Sequence, residues 1–505
     1  MRRLPKFLSR AALAAAATLW LAGGAAAQTP LPPDITDALA KAGVPPQAVA
    51  MVVAPLPPPP GAVSRAPEPA NPSGERNAAP APQPLPPPRL AWQPDVPMNP
   101  ASVTKLFTTY MALDQLGPGY FWKTRVSVQG FVKDGTLQGN LLVKGSGDPK
   151  LVVERLQDLI NAIRARGIRD INGDIVLDDG IFRLPPHDAA AFDDDPLRPY
   201  NAGPDGLLVN FGALVFKFQP DAGGRTARVV TEPPVAGIEV TPEVPLAKGC
   251  GDWRGRLGAD FSDPLNIRFT GRYGAACGER DWAIAYPDAG HFAERVFEGM
   301  WRASGGGLSG RVRTQRGAPP GQPWVTGLSL PLAQIIADVN KLSNNVMAQQ
   351  VFLTLSAAGD GHGSFGESQN AFARWWRQRF GVRKVPHLDN GSGLSRDART
   401  TAASLAALLQ QAATGPNAAV FADSLSIAGV DGTTRRMSAR NPGSEAIGNA
   451  RLKTGSLRDV AAVAGYAYGR SGQTWVVVGI INHPNAPAAR PALDRLVEWA
   501  VQDVH

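Results

Sequence analysis

Ser102-Val103-Thr104-Lys105 sets a hydroxyl and an amine three residues apart at the head of an apolar-periodic stretch, residues 101–116. At that spacing on a helix the two side chains share a face, with Cβ atoms about 5–6 Å apart. A serine hydroxyl is a poor nucleophile until a neighbour takes its proton, and a poised amine can do so. Backbone N–H groups at a helix start suit a developing oxyanion. Of the twelve lysines, Lys105 alone follows a serine at this distance. Pairs of this kind are also common on solvent-facing helices, so Ser-x-x-Lys by itself decides nothing.

Two later motifs change that. Lys453-Thr454-Gly455-Ser456 lies in a strand-like run and is the only Lys-Thr-Gly in the chain. A lysine at the rim of a site can bind a carboxylate, and Thr454 can add a hydrogen bond. Ser343-Asn344-Asn345 follows the amphipathic stretch 331–342 and offers a hydroxyl and an amide where a helix ends. Ser-x-x-Lys, then Ser-x-Asn, then Lys-Thr-Gly is the ordered mark of penicillin-recognising serine enzymes. Ser368-Gln369-Asn370 also fits Ser-x-Asn, but reads as a cap and surface feature in the first turn of a charged helix. Gly361 to Gly366 matches a dinucleotide fingerprint, yet it follows a helix and lacks a βαβ unit. The six histidines (187, 291, 362, 387, 483 and 505) show no metal-ligand spacing, so neither metal nor cofactor is expected.

The elements needed to hold these groups are readable. Residues 48–54 and 89–93 read as strands, separated by Pro55–Pro88, in which 14 of 34 residues are proline. Such a segment builds neither ladder nor core and is expected to be a solvated loop. The helix over 101–116 stops at Gly117-Pro118. From 124 to 323 short alternating strands and Gly/Asp turns dominate, interrupted by one helix at 151–166. Helical periodicity returns at 331–342, 344–358, 367–380 and 400–412. Strands follow at 449–456, 460–468 and 475–481, then a helix at 489–502. The fold expected is α+β: an antiparallel sheet closed by both ends of the chain and flanked by helices. The domains read as 28–123 and 324–505 for that body, with mostly β domains inserted at 124–323.

Composition narrows the setting. Residues 1–27 read as a secretory signal: Arg2, Arg3 and Lys6, an apolar stretch from Ala11 to Leu21, and Ala25-Ala26-Ala27. With Arg10 this segment carries four positive charges and no acid, so the formal +8 becomes 8 − 4 = +4 after cleavage. No case for nucleic-acid binding remains. No later apolar run reaches the roughly 18–20 residues of a membrane span. The expected location is the periplasm. Cys250 and Cys277, 277 − 250 = 27 residues apart, are a disulfide candidate in that oxidising setting, the alternative being two buried thiols.

These motifs resemble those of the class C low-molecular-mass penicillin-binding proteins, the D-alanyl-D-alanine carboxypeptidase/endopeptidase family. Asp389 to Arg396 (DNGSGLSR) looks like that family's Gly-Ser-Gly-Leu loop, and Ala428–Thr433, Ile481–Pro484 and Tyr200–Phe211 are also family-like. The separation of Ser102 from Ser343, 343 − 102 = 241 residues, is typical of this family and far larger than in β-lactamases. The Pro55–Pro88 segment is a departure that touches nothing catalytic. The resemblance implies that Ser102 attacks the penultimate D-alanine carbonyl while Lys105 takes its proton. It implies an oxyanion hole from the N–H groups of Ser102 and Ser456, and a proton relay through Ser343. Asn345 would hold the substrate amide, and Lys453, Thr454 and Gly455 the terminal carboxylate. Ser392 is either a substrate-binding hydroxyl or a turn residue. Partners would be peptidoglycan stem peptides, with β-lactams as covalent inhibitors. A β-lactamase needs a deacylating glutamate in the later part of the chain; Glu367 and Glu445 are there, in no recognisable loop for it. A non-catalytic penicillin sensor using the same pocket is the third reading.

Overall fold

The computed structural model describes residues 29–56, 87–221, 223–381 and 383–504. The signal reading at 1–27 and residues 57–86 of the proline-rich segment lie outside the described residues.

A six-stranded antiparallel sheet forms the body. Its strands in chain order are β1 Val49–Pro55, β2 Leu90–Trp92, β3 Ser426–Ile427, β4 Ala450–Leu457, β5 Val460–Tyr468 and β6 Thr474–Asn482. In space they run β3-β4-β5-β6-β1-β2. β6 pairs with β1 from Val49↔Ile481 to Pro55↔Trp475, so the two ends of the chain close the sheet as expected. β1 is buried at every position. Successive side chains serve opposite faces, with Ala50, Val52 and Ala54 in one core and Val49, Met51 and Val53 in another. A strand covered on both sides reads as a continuous apolar run, which is how this one appears in the sequence.

Helices α1 Pro33–Lys41 and α7 Arg490–Val501 cover one face. The other is covered by α2 Lys105–Leu116, α3 Leu332–Leu342, α4 Asn345–Asp360, α5 Phe365–Phe380 and α6 Ala402–Thr414. α2 is buried at every position from Lys105 to Leu113. A helix enclosed on all sides lies in the core, and its own ends then become the floor of a cleft. Phe107 packs edge-on against Phe372 and Trp376 of α5. Each such ring contributes roughly 1.5–3 kcal/mol by burial.

Between α2 and α3 the chain leaves the body. A seven-stranded sheet runs from Lys123–Lys133 to Gln322–Leu328, a five-stranded sheet includes Ala213–Pro220 and Arg280–Ala285, and a three-stranded one includes Asn266–Phe269. Two readings are corrected here and one element is added. Gln322–Leu328 pairs with Lys123–Lys133, so the insert closes after Leu328, not at 323; Pro323 sits beside a register shift in an edge strand, where proline is tolerated. A second helix, Ala289–Ala303, joins Val153–Ala165 in the insert, with Phe292, Val296, Phe297, Met300 and Trp301 as its buried stripe. α1 was not foreseen; Ile35 and Leu39 bury it in the core that α7 shares with the sheet. Cys250 and Cys277 are disulfide-bonded.

Candidate active site

Ser102 stands in a 3₁₀ turn, Ala101–Thr104, just ahead of α2 instead of inside it. The tight turn lifts the hydroxyl clear of the helix while Lys105, the first α-helical residue, lies beneath. Lys105 Nζ reaches Ser102 Oγ at 3.0 Å, Asn345 Oδ1 at 2.7 Å and the Ser392 carbonyl at 2.6 Å. A lysine amine has three tetrahedral positions besides its stem. Two are held by fixed acceptors, and the third points at the serine. When the amine is neutral, its lone pair takes that direction and can receive the serine proton. The side chain is 0% exposed, and burial, then the nearby Lys453, holds its pKa well below the usual lysine value.

Lys453 is the second fully buried lysine. It donates to Ser343 Oγ at 2.8 Å and to the Thr454 carbonyl at 2.7 Å, and burial lowers it to about 7. Ser343 ends α3 with a left-handed φ of 58°. That conformation costs a non-glycine residue on the order of 1 kcal/mol, and it turns the hydroxyl toward the strand. Asn344 caps α4 by accepting from Met347 N–H at 3.0 Å, which leaves Asn345 as the first residue of the helix. Asn345 Nδ2 donates to the Tyr200 carbonyl at 3.2 Å, a contact supplied by the insert.

Gly455 has a steric reason. A Cβ there would stand 2.5 Å from the Pro100 carbonyl oxygen and 3.1 Å from Ser102 N. Only glycine lets β4 come this close to the serine turn, so the third residue of the motif sets the distance between its two halves.

Ser102, Ser343, Thr454, Gly455 and Ser456 line one cleft of about 720 Å³. The structure thus gathers the three motifs from positions as distant as 102 and 453. Of the two readings of Ser392 the turn residue is the one the geometry favours over the substrate-binding one: its hydroxyl donates to Asn390 Oδ1 at 2.8 Å and accepts from Leu394 N–H, so it is turned into its own loop. Its backbone carbonyl, not its side chain, holds Lys105. Ser368 is no surface cap; it is 0% exposed and bonded to Ser356 Oγ at 2.8 Å, while Ser364 caps α5. Neither Glu367 nor Glu445 lines the cleft, and Glu445 is engaged by Arg470 and Gln502.

Sequence reasoning missed three neighbours. Thr433 Oγ1 accepts from Thr454 Oγ1 at 2.7 Å, and the family-like run 428–433 was its signal. Arg490 donates to Ser456 Oγ at 3.0 Å. Tyr200 contributes only a carbonyl; the family-like run 200–211 marked the segment but not the acceptor.

Fold and cleft together define a penicillin-recognising serine hydrolase. The D-Ala-D-Ala carboxypeptidase 3 (S13) family matches residues 90–503, and the chain belongs to it. The D-alanyl-D-alanine carboxypeptidase DacB of Haemophilus influenzae is 25% identical over 386 residues, 76% of this chain and 80% of its own length. The crystal structure of penicillin binding protein 4 (dacB) from Haemophilus influenzae is similar in fold, with a TM-score of 0.69 at 21% identity over 92% of this chain and 99% of that one. A second structure of it, complexed with a β-lactam, gives 0.66 at 21% identity, covering the same shares.

Proposed function

We propose that this chain is a serine-type D-Ala-D-Ala carboxypeptidase that trims peptidoglycan stem peptides through an acyl-enzyme on Ser102. The carrying observation is the buried Lys105 amine, 3.0 Å from Ser102 Oγ and held toward it by Asn345 and the Ser392 carbonyl. Lys105 takes the serine proton as Oγ attacks the penultimate D-alanine carbonyl. The N–H groups of Ser102 and Ser456 receive the oxyanion. Ser343, bonded to Lys453, passes a proton to the leaving amine, and D-alanine departs. Water then releases the shortened stem and restores the serine. Protonated Lys453 and Thr454 hold the substrate's terminal carboxylate, and Asn345 its amide.

β-Lactams present a strained amide to the same serine and leave it acylated; among the described residues no glutamate lines the cleft to activate water in the way a lactamase would. Cleavage after residue 27 and residence in the periplasm complete the reading; the basic-then-apolar start and the Cys250–Cys277 disulfide support it.

Fluorescent penicillin should label the purified protein and not Ser102→Ala, which should also lose D-alanine release from a pentapeptide by about 10⁴-fold or more while keeping its circular dichroism. Labelling of the folded mutant at the wild-type rate would place the nucleophile elsewhere. Rapid sustained nitrocefin turnover would instead favour a lactamase.

A further inference from the structure

The cleft continues beyond the serine. From Ser102 and Thr454 it runs past Ser456 to the short helix Arg436–Arg440 and to Arg490 at the head of α7. Its volume of about 720 Å³ suits a drug-sized ligand, and a single alanine leaving group occupies only a fraction of that. Arg435, Arg436, Arg440 and Arg490 line the far end against one acid, Asp494. Arg440 takes Asp494 in a two-bond pair at 2.7 and 2.9 Å. The other three arginines form no ion pair among the described residues. Arg490 donates instead to a neutral hydroxyl, Ser456 Oγ. Burial, then Arg440 and Arg436, pushes its pKa below the usual guanidinium value. Uncompensated like charges facing one concavity cost the fold free energy and focus a positive potential there, as in an anion site. Since Thr454 holds the terminal carboxylate in the reading above, this end lies on the leaving-group side.

We propose that Arg436 and Arg490 receive the acidic leaving peptide of a wall cross-link and set the preference for opening cross-links over trimming free ends. The inference rests on the acyl-serine reading of Ser102. In a cross-link the expelled amine belongs to a second stem peptide, which carries carboxylates beyond the one beside the scissile bond. The Ser102 Oγ–carbonyl bond forms and the amide C–N bond breaks. The amine leaves with the proton taken from the serine, and water releases the donor stem as its acid. Guanidinium pairs on the departing strand would bind it before and during this step.

The test compares a purified cross-linked muropeptide dimer with a monomeric pentapeptide, measuring kcat and KM for wild type, Arg436→Ala, Arg436→Lys, Arg436→Glu and Arg490→Ala. Each alanine variant should raise KM for the dimer so that the dimer-to-pentapeptide ratio of kcat/KM falls about 10- to 100-fold. Arg436→Lys should recover most of that ratio, Arg436→Glu should lower it further, and added salt should erode it in wild type more than in Arg436→Ala. Equal losses on both substrates would reduce these arginines to structural props and overturn the proposal. Wild-type release of D-alanine from pentapeptide with no cleavage of the dimer would also overturn it, leaving the carboxypeptidase reading intact. Inertness toward both substrates would sink both.

Discussion

The peptidase body and the insert treat charge in opposite ways. In the body, Lys105 and Lys453 are fully buried with neutral oxygens as their partners. In the insert the cations sit at the rim beside carboxylates: Arg313 with Asp174 at 2.7 Å, Arg316 with Asp179 at 2.9 Å, Lys217 with Glu232 at 2.6 Å. A half-exposed ion pair is electrostatically comfortable and contributes little, typically ~0–1 kcal/mol. A buried ammonium without a carboxylate is costly, and its pKa falls until the neutral amine is accessible. On the proposed mechanism the body gives up stability where the reaction needs a base; the insert gives it up only at its seam with the body, where burial raises Asp148 and Asp205. Chemistry and support are divided along the chain.

Removing the costly group is the most severe way to break this division. Lys105→Ala should slow penicillin acylation of Ser102 by about 10³-fold, the middle of the range for a positioned base. Stopped-flow acylation measures it, and a loss under tenfold would mean that another group takes the serine proton. Damage to the insert should have the reverse signature. Cys250→Ser opens a loop of 27 residues, which costs about 3.5 kcal/mol on the chain-entropy account. Thermal denaturation should show that loss while penicillin labelling of the protein that remains folded keeps its rate. Equal falls in stability and in labelling rate would show that the two regions are not separable.

Titration sharpens the same contrast. Lys105 must be neutral to accept the proton, so acylation should rise with pH as its depressed pKa is passed. On the proposed mechanism Lys453 must be charged to hold the carboxylate. With its pKa at about 7, KM for the pentapeptide should climb above that pH by up to tenfold per unit. The profile of kcat/KM is then a bell. The stability contribution has a definite sign. Lys453 is depressed on folding, so between about 7 and 10.5 the unfolded chain binds more protons and stability rises with pH. Asp205, where the insert meets α4, is pushed up to about 6 by burial, so its contribution falls as pH rises from 3.8 through 6. A flat KM between pH 6 and 9 would argue against Lys453 as the carboxylate's partner.

The two regions also differed in how legible they were. Side-chain chemistry at fixed spacing disclosed Ser102, Lys105, Ser343, Asn345 and Lys453, because a reaction demands particular residue types and the chain must supply them in order. The sheet was legible because β1 and β6 are buried on both faces and read as unbroken apolar runs. The Ser392 and Tyr200 carbonyls were not, since a backbone acceptor leaves no mark on residue type. Nor was the role of Gly455, whose close approach to Pro100 exists only after folding. In the insert, Ala289–Ala303 went unread because its surroundings have the period of strands, and its stripe of five apolar residues emerges only when it packs.

The smallest expected effect probes the seam between the regions. Lys150 of the insert pairs with Asp338 of α3 at 2.6 Å, with each side chain a little over a quarter exposed. Five residues after Asp338, α3 ends in Ser343, so a rigid coupling would carry a shift of the insert into the cleft. The seam has stronger members. Gln350 exchanges two hydrogen bonds with the Asp205 backbone, at 3.0 and 2.8 Å, and is itself 0% exposed. Against those, a screened pair contributes about 0.5 kcal/mol, and Asp338 left alone can be solvated. Lys150→Ala should therefore lower Tm by about 1–2 °C and change acylation by less than twofold, with the difference vanishing at high salt. A tenfold slowing of acylation in that variant would mean that the insert steers Ser343 through α3, and the division of labour between the two regions would fail at this point.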